Sequence, residues 1–125
     1  MVVDLVAEPV PPIEPPRSVV LHGVHILVDT PHEILVNKLC ALLHRSELRD
    51  LLDIEALLAA GGDLDRALRD APAKDGGFSP LTLGWVLDGW DVAGVARAAG
   101  LDARAEPIAR FRAELLRRVA ARPTR

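Results

Sequence analysis

The sequence contains few of the side chains that are typical of several common classes of protein. Aromatic residues make up 3% of the 125 residues and tyrosine is absent, which argues against a surface that stacks single-stranded bases on aromatic rings. Cys40 is the only cysteine, so no disulfide can form within the chain, and we expect a reducing compartment, the cytoplasm. No run approaches the roughly 20 apolar residues that span a bilayer, and the N-terminus lacks a basic segment followed by an apolar one, so we expect neither a membrane nor a secreted protein.

The charge balance also limits the kinds of partner. The formal net charge is -3, from 15 basic and 18 acidic residues, so no positive field covers the whole protein and recruits nucleic acid by charge alone. Any contact with RNA or a nucleotide is therefore expected to be local. Half of the residues are hydrophobic, which is enough for the core of one compact domain.

The residue patterns predict an α+β fold that is predominantly α. A small N-terminal sheet remnant of about three strands is expected at residues 2–6, 18–21 and 24–28, with His22 and Gly23 as a turn. Residues 8–16 (EPVPPIEPP) are rich in proline and predict an extended connector. We therefore divide the chain into a partial sheet with its connector, residues 1–28, and a helical C-terminal region, residues 29–125.

About six helices are predicted in the second region. Thr30 is the expected N-cap of the first, with Pro31 at its first position and Glu33 reaching back as the acid of a capping box. This helix should end near Arg45. Further helices are predicted at residues 47–59, 63–69, 79–87, 91–98 and 105–121.

Two cations fall on the buried face of the first predicted helix. Ile34, Leu35 and Leu42 form its apolar stripe on a helical wheel. Lys38 and Arg45 both lie inside that stripe. The first helix therefore carries positive charge where apolar side chains are expected.

One acid falls on the buried face of the second predicted helix. Asp50 lies between Ile54 and Leu57 on the wheel. Arg49 and Asp53 lie off this stripe with i,i+4 spacing, which predicts a surface ion pair contributing roughly 0.2–0.5 kcal/mol. Charges on a buried face must be paired, bound to a ligand or placed at a cleft. An ion pair that locks the two helices and an active site both explain the pattern, and the residues alone favour neither.

The same residues resemble a motif of a known protein family. Residues 33–42 (EILVNKLCAL), then Arg45, then residues 49–54 (RDLLDI), are similar to the late motif of the AbiEii/AbiGii nucleotidyltransferase toxins. The family pattern is a leucine-rich E-K-L-x-A-L followed by R-x-x-x-R-D-x-x-D, and the spacing here matches it throughout. Asn37 departs from the pattern, because the family commonly has an acid before the lysine. The resemblance covers residues 29–58 well and the flanks loosely.

The resemblance implies the C-terminal part of a DNA polymerase β-like nucleotidyltransferase, the toxin of a type IV toxin–antitoxin pair, which transfers a nucleotide from an NTP to an RNA acceptor such as tRNA. Lys38 and Asp50 would be catalytic, with Lys38 holding the nucleotide phosphates. Arg45, Arg49 and Asp53 would bind and position the nucleotide. Such transfer depends mainly on positioning and charge stabilisation, so the resemblance also implies Mg²⁺. A cognate antitoxin is the implied partner.

The segment expected to carry the main metal ligands does not appear in the sequence. Family members begin with a Gly-Ser pair that opens a helix and continue with Asp-x-Asp or Asp-x-Glu on a strand, and neither precedes Asp4. The only Asp-x-Asp, residues 63–65, directly follows two glycines, so we interpret it as a loop and helix cap. Asp4 in the first predicted strand is a candidate metal ligand, and a solvent-facing acid is the other interpretation. The chain alone is expected to be inactive.

A second interpretation comes from another functional class. The chain could be a non-catalytic helical module that keeps the family core and binds a partner. An exposed sheet edge near residues 2–6 could supply the surface, and it could also join copies of the chain into an oligomer. The arginine-rich last helix is the other candidate surface, although a solvated helix face explains its charges equally simply.

Overall fold

The computed structural model describes residues 12–121, and its first regular structure is a β-hairpin. β1 (Arg17–Leu21) pairs antiparallel with β2 (Val24–Val28), with Leu21 opposite Val24. His22 and Gly23 join the strands with φ of 51° and 79°, the left-handed backbone of a two-residue turn that matches the twist of the strands. The predicted turn is therefore confirmed.

Six α-helices follow the hairpin within the described residues, the number predicted from the sequence. Thr30 caps α1 by accepting a hydrogen bond from the backbone N–H of Glu33, with Pro31 at the first position. The cap of α4 is a full capping box between Ser79 and Thr82. The helices are α1 (Pro31–Arg45), α2 (Leu48–Ala59), α3 (Leu64–Lys74), α4 (Pro80–Asp88), α5 (Val92–Ala98) and α6 (Ala105–Ala120).

The core lies among these helices. α1 packs against α2 and α3, while α6 packs against α4 and α5. The side chains buried at the centre are aliphatic and come from every helix, because each helix turns its apolar stripe inward. They include Leu35, Leu39, Leu42, Leu51, Ile54, Leu64, Leu83, Leu87, Val92 and Leu115. None of the described helices has the length and apolar character needed to cross a bilayer.

The hairpin stands apart from this core. All ten of its strand residues are exposed, and within residues 12–121 no helix packs extensively on either strand. The expected sheet of about three strands has two in the part of the chain that the structure describes. The strand predicted at residues 2–6, with its candidate ligand Asp4, lies outside the described residues.

A buried carboxylate fixes the segment that leads into the hairpin. Glu33 is 1% exposed, and its Oε1 accepts hydrogen bonds from the backbone N–H groups of Ile13 at 2.8 Å and Glu14 at 3.0 Å. Its Oε2 lies 2.6 Å from Nζ of Lys74 on α3. The prediction that Glu33 closes a capping box is wrong, because its carboxylate binds these more distant groups instead.

The carboxylate of Glu14 completes this attachment. It accepts hydrogen bonds from the hydroxyl of Thr30 and, at 2.8 Å, from Nη2 of Arg66 on α3. The two acids therefore tie the entry to the hairpin to both α1 and α3.

Candidate functional site

Asp50 on α2 is the buried charge around which the candidate site is organised. Its side chain has no solvent exposure. Arg45, the last residue of α1, donates from Nε to Oδ2 of Asp50 at 2.9 Å and from Nη2 to Oδ1 at 3.0 Å. This two-point contact matches a planar guanidinium to a planar carboxylate and fixes both groups.

Lys38 on α1 contacts the same carboxylate and also reaches a second one. Its Nζ lies 3.6 Å from Oδ1 of Asp50 and 2.9 Å from Oδ2 of Asp53. The Lys38 side chain is 25% exposed and that of Asp53 is 44% exposed. Both predicted cations therefore bridge to Asp50, and Lys38 links this buried acid to one that faces solvent.

The short connection between α1 and α2 brings these groups together. Ser46, the C-cap residue that follows α1, has a left-handed backbone with φ of 49°. The backbone N–H and the hydroxyl of Ser46 both donate to the carbonyl of Leu42. Glu47 is the N-cap of α2. Because only Ser46 and Glu47 separate the two helices, the side chains of Arg45 and Asp50 meet across the turn.

The hydrogen bonds and charges of the site keep the acid ionised. The hydrogen bonds from Arg45 lower the pKa of Asp50 below its usual value, and the charges of Arg45 and Lys38 add to this effect. Burial of the carboxyl opposes the shift without reversing it. The same hydrogen bonds raise the pKa of Arg45. The buried acid and its partner are therefore both charged near neutral pH.

The expected surface pair of Arg49 with Asp53 is wrong. Asp53 binds Lys38, whereas Nη2 of Arg49 lies 3.1 Å from Oε2 of Glu47. The same oxygen of Glu47 lies 3.8 Å from Nε of Arg45. The helical wheel missed Glu47, because an N-cap residue lies before the helical period begins.

A cavity opens beside Lys38. Its volume is about 290 Å³, and its walls combine apolar side chains with one ion pair. The lining residues are Ile34, Lys38, Asp53, Ala56 and Leu57. A ligand with an anionic end and a less polar body would suit such a cavity, because the ammonium attracts the anion while the aliphatic walls bind the body.

The candidate site contains equal numbers of positive and negative side chains, and the negative ones differ in solvent exposure. Three cations, Lys38, Arg45 and Arg49, face three carboxylates, of which only Asp50 is fully buried. Guanidinium and ammonium groups are the usual ligands of phosphate oxygens. All the predicted site residues among the described positions, Lys38, Arg45, Arg49, Asp50 and Asp53, therefore lie in one cluster.

The described residues do not fit Mg²⁺. Both oxygens of Asp50 already accept hydrogen bonds from Arg45, and the carboxylate of Asp53 is paired with Lys38. From residue 12 to residue 121 no group of three or more potential metal ligands comes together. A two-metal site requires at least two carboxylates presented together to the ions, and in the described chain Asp50 and Asp53 are directed at cations.

Several other charged residues have structural roles. Asp63 caps α3 by accepting from the backbone N–H of Arg66 at 3.1 Å, as predicted for the Asp-x-Asp sequence. On α6, Arg112 donates to the carbonyl of Leu87 at 2.7 Å and so ties α6 to the end of α4. The pattern of arginines gave no sign of this contact. Arg117 pairs with Glu114 on the exposed face of the same helix.

Comparison with known proteins extends the resemblance seen in the sequence. A family model described as "Nucleotidyl transferase AbiEii toxin, Type IV TA system" matches residues 1–123. This match covers essentially the whole chain, including the helices that carry the candidate site. No curated protein and no solved structure gives a significant match.

Proposed function

Because the chain belongs to the family of AbiEii nucleotidyl transferase toxins of type IV toxin–antitoxin systems, we propose that its α1–α2 cluster binds the phosphates of an NTP. The activity that this binding serves is transfer of the nucleotide to an RNA acceptor such as tRNA, which we expect only together with the Gly-Ser and Asp-x-Asp segment of the family. The observation that carries this proposal is the position of Lys38, which lines the cavity and whose ammonium contacts Asp50 and Asp53 in the free protein. A lysine that packing and the buried Asp50 hold in place loses little freedom when it binds a phosphate.

Each residue of the cluster has a distinct proposed role. Lys38 contacts the phosphates, and Arg45 and Arg49 supply further donors along the polyphosphate. Asp50 completes the site by holding Lys38 and Arg45 at fixed positions from within the core. Asp53 holds Lys38 in the free protein only, since a carboxylate and a phosphate repel each other.

Mg²⁺ is commonly used by nucleotidyltransferases, and a bound ion would stabilise the charge that develops on the transferred phosphoryl group. The carboxylates of the described cluster are occupied by cations, so we assign them no metal-binding role. The sequence has no Gly-Ser pair and no Asp-x-Asp on a strand. We therefore expect the chain alone to bind NTP without transferring the nucleotide.

The experiment that tests this proposal measures binding and transfer separately. Transfer is measured by incubating the 125-residue chain with labelled NTPs, Mg²⁺ and tRNA and following the label on the tRNA. NTP binding is measured in a separate titration by calorimetry. Lys38→Ala should abolish binding, whereas Arg97→Ala, which removes an exposed cation from α5, should not change it. Equal binding by the wild type and Lys38→Ala would refute the proposal. Modification of tRNA by the wild type would contradict the expected lack of transfer.

A second candidate function rests on the hairpin. One face of the hairpin carries five aliphatic side chains, and no described helix covers it. A two-stranded sheet is only marginally stable unless it packs against another element. These side chains are Val19, Leu21, Val24, Ile26 and Val28. This exposed surface favours a module in the cytoplasm that binds a partner protein, such as the cognate antitoxin, or a second copy of the chain. Sedimentation of the chain alone and with its antitoxin would test this, and a monomer that binds no antitoxin would refute it.

A further inference from the structure

The three acids of the cluster differ in how easily they can leave their cations. Asp50 is fully buried and binds Arg45 at two points. Asp53 and Glu47 have side chains that are 44% and 46% exposed. Exposed ion pairs contribute little free energy, because water solvates the separated charges almost as well. Two of the three carboxylates can therefore exchange with another anion, and the third cannot.

Neither exposed carboxylate has a second structural role among the described contacts. Glu47 occupies the N-cap position of α2, but its side chain makes no capping hydrogen bond there. Its Oε2 contacts Arg49 and Arg45. Asp53 lies in the middle of α2 and its Oδ2 contacts Lys38 at the cavity. Turning either side chain away would break ion pairs without disturbing the ends of a helix.

We infer that Asp53 and Glu47 occupy the positions of phosphate oxygens in the free protein, and that a polyphosphate displaces both. This inference rests on the proposed function and names the class of ligand that the site selects. With both carboxylates turned away, three cations would face the single charge of Asp50. The site would then have two net positive charges, which a polyanion neutralises.

The same arrangement discriminates against small anions. A single phosphate must compete with a carboxylate of the same chain, which packing holds beside the cation and which is therefore present at a high effective concentration. A triphosphate can contact Lys38 and Arg45 together, because both cations bind Oδ1 of Asp50, at 3.6 Å and 3.0 Å, and so lie close to each other. The free energy gained from several contacts with the triphosphate outweighs the free energy lost with the two exposed ion pairs. We expect triphosphate to bind, pyrophosphate to bind more weakly and monophosphate to bind weakest.

The test uses the whole chain and inorganic anions in the presence of EDTA, so that no metal complex contributes. Binding of triphosphate, pyrophosphate and phosphate is measured by calorimetry for the wild type, Lys38→Ala, Asp53→Asn, Glu47→Gln and the variant with both acid substitutions. Each single acid substitution should tighten triphosphate binding roughly two- to five-fold, the range expected for removal of one exposed pair. Asp88→Asn makes the same change in net charge on α4, away from the cluster. It should leave the affinity within error of the wild type.

The outcomes separate this inference from the proposed function. If Lys38→Ala abolishes triphosphate binding while Asp53→Asn and Glu47→Gln leave it unchanged or weaken it, the inference is overturned and the proposed function stands. If Asp88→Asn tightens binding as much as Asp53→Asn, net charge explains the effect and the inference is also overturned. If neither the wild type nor the variant with both acid substitutions binds triphosphate, both proposals fail.

Discussion

Arg45 binds both carboxylate oxygens of Asp50 across the turn between α1 and α2, at 2.9 Å and 3.0 Å. Lys38 approaches the same acid from α1 at 3.6 Å and also lines the cavity. Two cations on one helix thus share one buried acid but differ in what they contribute. Arg45 mainly compensates the buried charge, whereas Lys38 remains available to a ligand.

This difference predicts different effects on stability. Arg45→Met should lower the free energy of unfolding more than Lys38→Met, because only Arg45 donates two hydrogen bonds to the buried carboxylate. Asp50→Ala should also lower the free energy of unfolding, since Arg45 and Lys38 lose the buried carboxylate that they share. Urea unfolding followed by circular dichroism measures all three. A larger loss for Lys38→Met than for Arg45→Met would contradict this assignment.

The sequence was sufficient to predict where the helices begin, because the signals for a helix start are local. The predicted end of α3 at Arg69 is wrong, since the helix continues to Lys74 with Pro72 inside it. N-cap residues such as Thr30 and Asp63, and the prolines at the first positions of α1 and α4, determine where helices begin whatever the rest of the chain does. The partner of Glu33 was not predictable in this way. Its hydrogen bonds to Ile13 and its ion pair with Lys74 join residues far apart in the chain, and no spacing rule specifies such contacts.

A second prediction concerns acid sensitivity through Glu33. Burial alone would raise the pKa of Glu33, but hydrogen bonds from Lys74 and from the backbone N–H groups of Glu14 and Ile13 outweigh it and lower the pKa below 4.5. A carboxyl group with a lowered pKa in the folded state stabilises the protein above its unfolded pKa. This stabilisation is lost as the pH falls through the folded pKa. The free energy of unfolding should therefore decrease as the pH falls below about 4.5.

Glu33→Gln tests this acid dependence. The variant should lose roughly 3 kcal/mol at neutral pH, because Lys74 keeps its charge in a nearly buried position without the carboxylate. Its stability should then vary less with pH in the acid range than that of the wild type. Glu106→Gln, at an exposed position of α6, should keep the pH dependence of the wild type. Parallel curves for the wild type and Glu33→Gln would show that Glu33 is not the responsible group.

A third prediction separates the hairpin from the core. Leu27 on β2 is 70% exposed and Leu39 on α1 is fully buried. Leu27→Thr should change the free energy of unfolding by less than about 0.5 kcal/mol, whereas Leu39→Ala should cost about 2–5 kcal/mol because it leaves a cavity. Urea denaturation of both variants is the measurement. A loss above about 1 kcal/mol for Leu27→Thr would mean that the hairpin is covered in solution.

A fourth prediction concerns the two pairs of adjacent glycines, Gly61–Gly62 and Gly76–Gly77. A methyl group at Gly62 would lie 2.8 Å from the backbone carbonyl oxygen of Leu57, at the end of α2, whereas one at Gly76 would meet nothing within 4 Å. Gly62→Ala should therefore cost roughly 1–3 kcal/mol, because the backbone must shift. Gly76→Ala should be neutral or slightly stabilising, since it restricts the unfolded chain. Thermal unfolding of the two variants provides the comparison, and equal melting temperatures would contradict it.

The candidate site was predictable to the extent that it follows helical periodicity. Lys38, Arg45 and Asp50 were found because a charge within an apolar stripe stands out on a helical wheel. The contacts of Asp53 and Glu47 were not found, because the side chain of Asp53 crosses to the neighbouring helix and Glu47 lies in the turn. Which exposed charge pairs with which depends on the angle between α1 and α2, and this angle is a property of the packed core.

The central claim, that Lys38 presents its ammonium to the phosphates of a nucleotide, is tested most directly by calorimetric titration of the full chain with ATP, GTP, CTP and UTP. The wild type should bind at least one of these NTPs saturably. Lys38→Met should bind none of them while keeping an unfolding curve close to that of the wild type. The same affinity in both proteins would contradict the account.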